Sequence, residues 1–290
     1  MFEVMDFTLP GGMLDRSGRC HRHGQLRPLT GGDEDWLYSL APATRRAGVV
    51  TALLARCVIC IGPHAMTAEL GRALSVGDRD HLLLELFGAT FGDTLWRVLV
   101  CPHAGCGARM DLDLALADIP VVARPSAASH RVRLDDAGTP VDVEFRAPSG
   151  RDQEQIAAID GAAPDALRDQ LLAACVVRAV ADGGAERPFD ALSLPARQAL
   201  ADAIEEVVPQ LELELELVCP ECARSFELAL DPAAILLDEV QAGRAAFERE
   251  LHLLAFHYHW SLDELMRLTR PGRRRFLRLL TEQLGARAQV

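Results

Sequence analysis

The 290-residue chain contains no lysine and no asparagine, so all 30 of its basic residues are arginine. That is a bias of composition and carries no information about fold. The stretch Met1-Phe2-Glu3-Val4-Met5-Asp6 lacks the basic and apolar regions of a signal peptide. No apolar run reaches the ~18 residues of a membrane span. The longest candidate, Ala47 to Gly62, is interrupted by Arg56. These absences predict a cytoplasmic protein without membrane contact. Positive charge is also scarce. The formal net charge is −12 and the pI is near 5.2, which argues against a general binder of nucleic acid or anionic membranes. HExxH, P-loop, dinucleotide fingerprint, nucleophile elbow and catalytic-triad order are all missing. No catalytic residue and no small-molecule substrate are therefore expected.

What is present is cysteine in pairs. Of eight cysteines, four form two short knuckles. Cys101-Pro102-His103-Ala104-Gly105-Cys106 lies between the alternating runs 95–100 and 110–114. Cys219-Pro220-Glu221-Cys222 lies between the alternating runs 211–217 and 226–230. Strict apolar/polar alternation is the pattern of a half-buried strand, so one strand–knuckle–strand unit occurs twice. In a cytosolic chain such cysteines are metal ligands or buried thiols more often than disulfides. Zn2+ takes four tetrahedral ligands, and two knuckles supply two thiolates each. A site of Cys101, Cys106, Cys219 and Cys222 leaves no open position for water, so the expected zinc is structural. His103 could stand in for one thiolate. Metal binding of this kind contributes roughly 10–16 kcal/mol, against about 5–15 kcal/mol for a whole domain. Metal can thus decide whether the distant strands pair. The plainer alternative is a decayed site of simply buried cysteines. A thiol-redox reading of Cys219-Pro220-Glu221-Cys222 needs a helix after the first cysteine, and the following residues alternate as a strand.

The rest of the chain reads as α+β. The fold expected is a split two-knuckle zinc ribbon and short β-hairpins, with helical N-terminal, middle and C-terminal segments. Turn signals at Pro10-Gly11-Gly12 and Asp15-Arg16-Ser17-Gly18 predict a hairpin over 4–28. Helices are predicted from Thr30, over 44–61, and from Asp78 as N-cap to Phe87. A second hairpin pairs Arg131–Leu134 with Val141–Phe145. Helices follow at 150–159, 164–181 and 195–207. Asp231-Pro232 opens a long helix, Ser261-Leu262-Asp263-Glu264 is a capping box, and Pro271-Gly272 starts the last helix. Apart from the knuckles no tandem repeat is evident. The expected division is 1–147 (hairpin, helices, first knuckle), 148–210 (helical insertion) and 211–290 (second knuckle and carboxy-terminal helices).

Several smaller clusters compete for a role. Cys57 and Cys60 share a predicted helix and could face one site, but cysteine is among the most buried residue types, so core packing is the reading for both and for Cys175. Cys20-His21-Arg22-His23 looks like a metal cluster without a partner set. His257 and His259 are two apart and diverge on a helix. The segment His257-Tyr258-His259-Trp260 is therefore read as packing or as a contact anchor. Arg267, Arg270, Arg273, Arg274, Arg275 and Arg278 make a local basic run. It is a solvated helix face or an internal partner for the acidic strands, or else a dock for an acidic protein surface. A zinc-ribbon regulator binding nucleic acid through this run is the alternative function, opposed by the net charge. Glu212, Glu214 and Glu216, with Asp111 and Asp113, form the ordinary solvent face of alternating strands.

Three stretches also agree with one family: Leu29-Thr30-Gly31-Gly32-Asp33-Glu34-Asp35-Trp36-Leu37; Val76-Gly77-Asp78-Arg79-Asp80-His81 with Thr90-Phe91-Gly92-Asp93; and Leu253-Leu254-Ala255-Phe256-His257-Tyr258-His259-Trp260-Ser261 with Arg273-Arg274-Arg275-Phe276-Leu277. Together they resemble the baseplate-protein family of T-even-type phages, as found in phage-tail-like contractile injection clusters. The block 148–210 matches loosely, and the first knuckle is wider than the C-x2-C expected of such relatives. The resemblance implies a non-enzymatic subunit or assembly factor of the baseplate, with baseplate or tail proteins as partners. On that reading His257, Tyr258, His259, Trp260, Arg273, Arg274 and Arg275 are partner-binding residues.

Overall fold

The structure, a computed structural model, describes residues 4–41, 43–211 and 213–287. Met1 to Glu3 and Glu212, used in the sequence reading, lie outside the described residues. Strands β1 (Met5–Leu14) and β2 (Cys20–Leu26) form the expected amino-terminal hairpin. Helix α1 (Gly31–Ser39) starts at Thr30 through a capping box with Asp33. Helix α2 (Arg46–Cys57) runs straight into β3 (Val58–Ile61), and β4 (His64–Ala65) turns back on it. These strands make an antiparallel sheet in the order β1-β2-β3-β4. The single helix expected over 44–61 therefore stops at Cys57. Val58, Ile59 and Ile61 are β-branched, and the segment finds the open edge of β2. Cys60 thus sits on a strand, not beside Cys57 on a helix.

Helix α3 (Ala68–Ala73) leads into α4 (Val76–Phe91). The cap of α4 is Ser75, not Asp78. Asp78 sits in the first turn, where its carboxylate accepts the backbone N–H groups of Gly11 (2.7 Å) and Gly12 (3.1 Å). This pins the hairpin to the helix. Gly12 is needed there: its φ is +104°, and a Cβ would lie 2.5 Å from Cys20 Sγ. Next come β5 (Thr94–Val100), β6 (Arg109–Ala115), the short β7 (Val121–Val122), and the hairpin β8 (His130–Asp136) with β9 (Thr139–Phe145). Then follow α5 (Gly150–Ala157), α6 (Pro164–Cys175), β10 (Val176–Ala181) and α7 (Leu194–Val207). The helix expected over 164–181 also stops early, at Cys175, because Val176-Val177-Arg178-Ala179-Val180 pairs with β9. The chain ends with β11 (Gln210–Leu211), β12 (Glu214–Val218), β13 (Ser225–Ala229), α8 (Pro232–Tyr258), α9 (Leu262–Met266) and α10 (Arg270–Arg287). β11 pairs with β7.

Laid side by side, the second half repeats the first, well beyond the knuckles. Each unit has a hairpin (β1-β2, β8-β9), a capped helix (α1, α5), a helix that becomes a strand (α2-β3, α6-β10), a serine-capped helix (α4, α7) and a knuckle ribbon (β5-β6, β12-β13). The hydrogen bonds repeat too. Arg27 donates its N–H to the Cys57 carbonyl, and Arg146 to that of Cys175, both at 2.9 Å. Their guanidinium groups hold Asp33 (2.6 Å) and Asp152 (2.7 Å), the acids that box the caps Thr30 and Ser149. Two antiparallel bridges join caps in pairs, Ser75 with Ser149 and Thr30 with Thr269. The carboxy-terminal α9–α10 therefore sits on the first unit much as α3–α4 sits on the second.

Two apolar cores follow the two units. The first gathers Leu9, Leu53, Leu54, Leu82 and Leu86 with Ile235, Leu236 and Val240 of α8. The second runs from Leu134 to Ile204. It takes in the hairpin β8–β9, which the sequence division left with the first segment. Fully burying a side chain such as Leu54 contributes about 1.5–3 kcal/mol. Helix α8 closes the first unit, where Tyr38 Oη donates to the Val240 carbonyl at 3.0 Å. The matching face of the second unit stays an open apolar groove of about 630 Å3 between α5, α6 and α7, lined by Ile156, Leu167, Leu171, Ala201 and Ile204.

Candidate metal centre

The two knuckles are built alike. β5 and β6 pair in full register from Thr94↔Ala115 to Val100↔Arg109. β12 and β13 do so from Glu214↔Ala229 to Val218↔Ser225. Each ribbon ends where a cysteine N–H closes the turn: Cys101 onto the Ala108 carbonyl (2.8 Å) and Cys219 onto that of Arg224 (3.0 Å). The first turn uses Gly105 and Gly107 at positive φ, the second uses Ala223 at +56°.

The structure brings Cys101, Cys106, Cys219 and Cys222 together, with all four sulfurs within 4.8 Å of one another. Cys101 Sγ lies 3.8 Å from Cys222 Sγ, and Cys106 Sγ lies 3.7 Å from Cys219 Sγ. A tetrahedral ion with metal–sulfur bonds of about 2.3 Å sets sulfurs ~3.8 Å apart. A disulfide needs ~2.05 Å. The donor set therefore has the geometry to hold a metal ion. Cys101 and Cys219 are buried, while Cys106 and Cys222 are half-buried. The backbone N–H of Arg224 brings the Cys222 thiol down to about 6, while burial pushes Cys101 up to about 12. Four touching sulfurs cannot all ionise without a cation between them, and a bound metal ionises its thiols outright. His103 lies outside the sulfur cluster. Its Nε2 is 2.9 Å from the Ser225 carbonyl oxygen, so it laces one knuckle to the other.

The carboxy-terminal residues fall into two groups. Tyr258 stacks on Trp260 (4.9 Å between centroids), and Trp260 meets Phe276 edge-on at 4.9 Å. Tyr258 Oη also donates to the Phe276 carbonyl at 3.4 Å. These contacts fasten α8 to α10. His259 is exposed and caps α8 in the left-handed conformation. His257 is half-buried against Phe256. Arg274 and Arg275 are exposed. Arg273, named among the partner-binding residues by the family resemblance, is not a surface residue; it is an internal partner, but of helical acids and not of the acidic strands. Its side chain is 0% exposed and donates to Glu34 (2.7 Å), itself 0% exposed, and to Glu250 (3.1 Å). Arg270, one helical turn away, is buried beside the same Glu34. Helical spacing turns these two arginines inward, so the basic run is split between core and surface. The acids Asp111, Asp113, Glu214 and Glu216 are exposed as expected. Of the Cys20-His21-Arg22-His23 cluster, Cys20 is exposed and His23 pairs with Thr8, while His21 meets Asp15 and His64, partners that sequence reasoning missed.

Among the described residues no helix is long and apolar enough to cross a membrane. No curated protein and no solved structure matches the chain. One family model does, described as T4 bacteriophage base plate protein, over residues 20–234. That span runs from β2 to the start of α8 and includes most of both units and all four clustered cysteines. With most of its length matched, the chain belongs to the T4 bacteriophage base plate protein family.

Proposed function

We propose that the protein is a non-enzymatic structural or assembly component of the baseplate of a phage-tail-like contractile injection system, and that its four-cysteine cluster holds one structural Zn2+. The observation that carries the reading is the cluster itself. Four thiolates, two from each repeated unit, surround one point and leave no coordination position for a substrate, in a chain of the base plate family. Zinc is the ion that best suits a tetrahedral set of four sulfurs. Its work here is mechanical, joining ribbons that lie far apart in sequence.

The proposed partners are other baseplate or tail proteins. The contact surface is the carboxy-terminal end of α8 with the start of α10: His257, Tyr258, His259, Trp260, Arg274 and Arg275. Arg273 drops out because Glu34 and Glu250 occupy it. Aromatic and arginine side chains are the usual anchors of such contacts.

Two measurements test this on the full chain. Metal content after dialysis against a mild chelator should show one tightly held zinc, absent from Cys222→Ser. Retention from a tail-assembly lysate should recover baseplate proteins, and recover them less well with His259→Ala/Arg274→Ala/Arg275→Ala. A metal-free wild type would overturn the zinc assignment, and a lysate yielding no baseplate protein would overturn the assembly role.

A further inference from the structure

We propose that Asp15, His21 and His64 form a second cation site, for a divalent transition-metal ion, at one end of the four-stranded sheet. The three donors come from different elements: the β1–β2 turn, β2 and β4. Their donor atoms all lie within 4.8 Å of one another. One oxygen of Asp15 is fully used inside its own turn. Oδ1 accepts from the Ser17 N–H (2.8 Å), the Ser17 hydroxyl (2.6 Å) and the Arg19 N–H (3.0 Å). That fixes the carboxylate and aims Oδ2 at two imidazoles, His21 Nε2 at 2.9 Å and His64 Nε2 at 4.0 Å. The rings meet edge to face with centroids 5.1 Å apart.

An ordinary hydrogen bond accounts for Asp15 and His21. It does not account for His64. Its Nε2 is turned inward, buried, and without a hydrogen-bond partner among the described residues, although the side chain as a whole is 40% exposed. A buried polar atom left unpaired costs free energy that a ligand can recover. A tetrahedral ion with bonds of about 2.0–2.2 Å sets its donors roughly 3.3–3.6 Å apart. The observed 2.9 and 4.0 Å bracket that range, so small side-chain rotations complete the site. The turn that delivers His64 is shaped for the approach. Gly62 has φ +55°, and a Cβ there would lie 2.6 Å from His21 Nδ1.

The donor chemistry selects the ion. Two imidazoles and one carboxylate suit zinc and its first-row neighbours, whereas Mg2+ and Ca2+ want oxygen ligands throughout. Three protein donors leave a fourth position for water, unlike the closed thiolate cluster. Nor is the imidazole pair a by-product of the repeated unit. The corresponding turn after β10 reads Asp182-Gly183-Gly184, and there Asp182 pairs with Arg133 at 2.8 Å.

The test uses full-length protein and Co2+ as the probe, after a mild chelator has cleared weakly held metal. Wild type should take up one equivalent of Co2+ with ligand-field absorption and no sulfur-to-cobalt charge-transfer band. Zn2+ should displace it and Mg2+ should not. His64→Ala, at a half-exposed position that folding tolerates, should weaken uptake at least tenfold, as should Asp15→Asn. Uptake absent from wild type, or unchanged in both variants, would overturn the proposal.

Discussion

Arg273→Ala should destabilise the protein by about 3–5 kcal/mol, the usual cost of removing one partner from a buried ion pair. The pair in question is Arg273 Nη2 with Glu34 Oε1 at 2.7 Å, with neither side chain exposed. After the substitution Glu34 keeps only Arg270, whose nearest nitrogen is 3.9 Å from Oε2. That oxygen already lacks a hydrogen bond among the described residues. The guanidinium also leaves the face of Phe247, where it sits 4.8 Å from the ring centroid. The loss should be felt first where α10 rests on α1 and α8, so the readout is urea unfolding together with limited proteolysis of the carboxy-terminal helices. Two cores need not melt together, and a single-transition fit is not assumed. The pH dependence has a definite sign. Burial raises the folded Glu34 pKa above its ordinary value, with Arg273 opposing the rise. Without Arg273 it rises further, so the folded form takes up a proton more readily and the penalty should shrink as pH falls through that raised value. Arg274→Ala, on the exposed side, should stay within about 0.5 kcal/mol of wild type. If Arg273→Ala proves as harmless as Arg274→Ala, the inward placement of Arg273 is wrong and the surface reading of the whole run stands.

Ala223→Gly should stabilise the second knuckle by roughly 1 kcal/mol, because Ala223 holds φ +56° and a left-handed conformation costs a residue with a Cβ about 1–2 kcal/mol; chelator competition for the bound metal would report it. Asp80 is pushed up to about 7 by burial, with Asp231 adding to the rise. Its contribution therefore favours the folded state in acid and is lost as pH rises through 7, and Asp80→Asn should stabilise by on the order of 1–2 kcal/mol at pH 8 and little at pH 5, measured by urea titration at both values. Asp33 and Asp152 are held below the ordinary range against the opposing effect of burial, by hydrogen bonds from Arg27 and Arg146 and from their caps. Their contribution is full above the unfolded value of ~3.9 and is lost as pH falls through the depressed folded values. Acid unfolding should accordingly begin earlier in Asp33→Asn and in Asp152→Asn than it does in wild type.

Local chemistry was legible in the sequence and long-range placement was not. The boxes Ser149–Asp152 and Ser261–Glu264 and the start Asp231-Pro232 appear where their side-chain chemistry puts them, because a cap is decided within a few residues. The knuckles were legible because paired cysteines between alternating strands mark a thiol cluster within a few residues of sequence. The switches from α2 to β3 and from α6 to β10 were not. Short apolar runs fit helix or strand equally, and the choice rests on edges supplied by β2 and β9. Spacing shows that Arg270 and Arg273 share a helix face. It cannot show that this face is the buried one, since Glu34 lies 239 residues away. His64 reaches His21 only through the pairing of β3 with β2 and β4. The repeat stayed hidden because it resides in bonds more than in letters. Thr30-Gly31-Gly32-Asp33 and Ser149-Gly150-Arg151-Asp152 differ in spelling and make the same box.

Duplication also changes what the thiolate cluster can be. Each unit contributes two sulfurs, and two sulfurs cannot close a tetrahedral site. The four-sulfur cluster exists only when both units are in place, so a metal held there would report on their juxtaposition and not on the folding of either one. Leu95 and Leu114 seat the first ribbon on the first core, and beyond such contacts the two ribbons that carry the sulfurs have few anchors. Both are two-stranded, and an isolated two-stranded hairpin is marginal in water. The outer face of β5 is open, with Trp96 62% exposed beside Val98 and Val100. A polar anchor of this ribbon is Arg97, which reaches Glu239 (3.0 Å) and the Ile235 carbonyl (2.8 Å) on α8. The cores beneath have separate apolar clusters and separate Arg–Asp clamps. Removing a metal held by the cluster should therefore loosen the ribbons, and with them the relative setting of the two units, before it melts either core. A component that must present fixed surfaces within a larger assembly would lose that fixity while remaining folded.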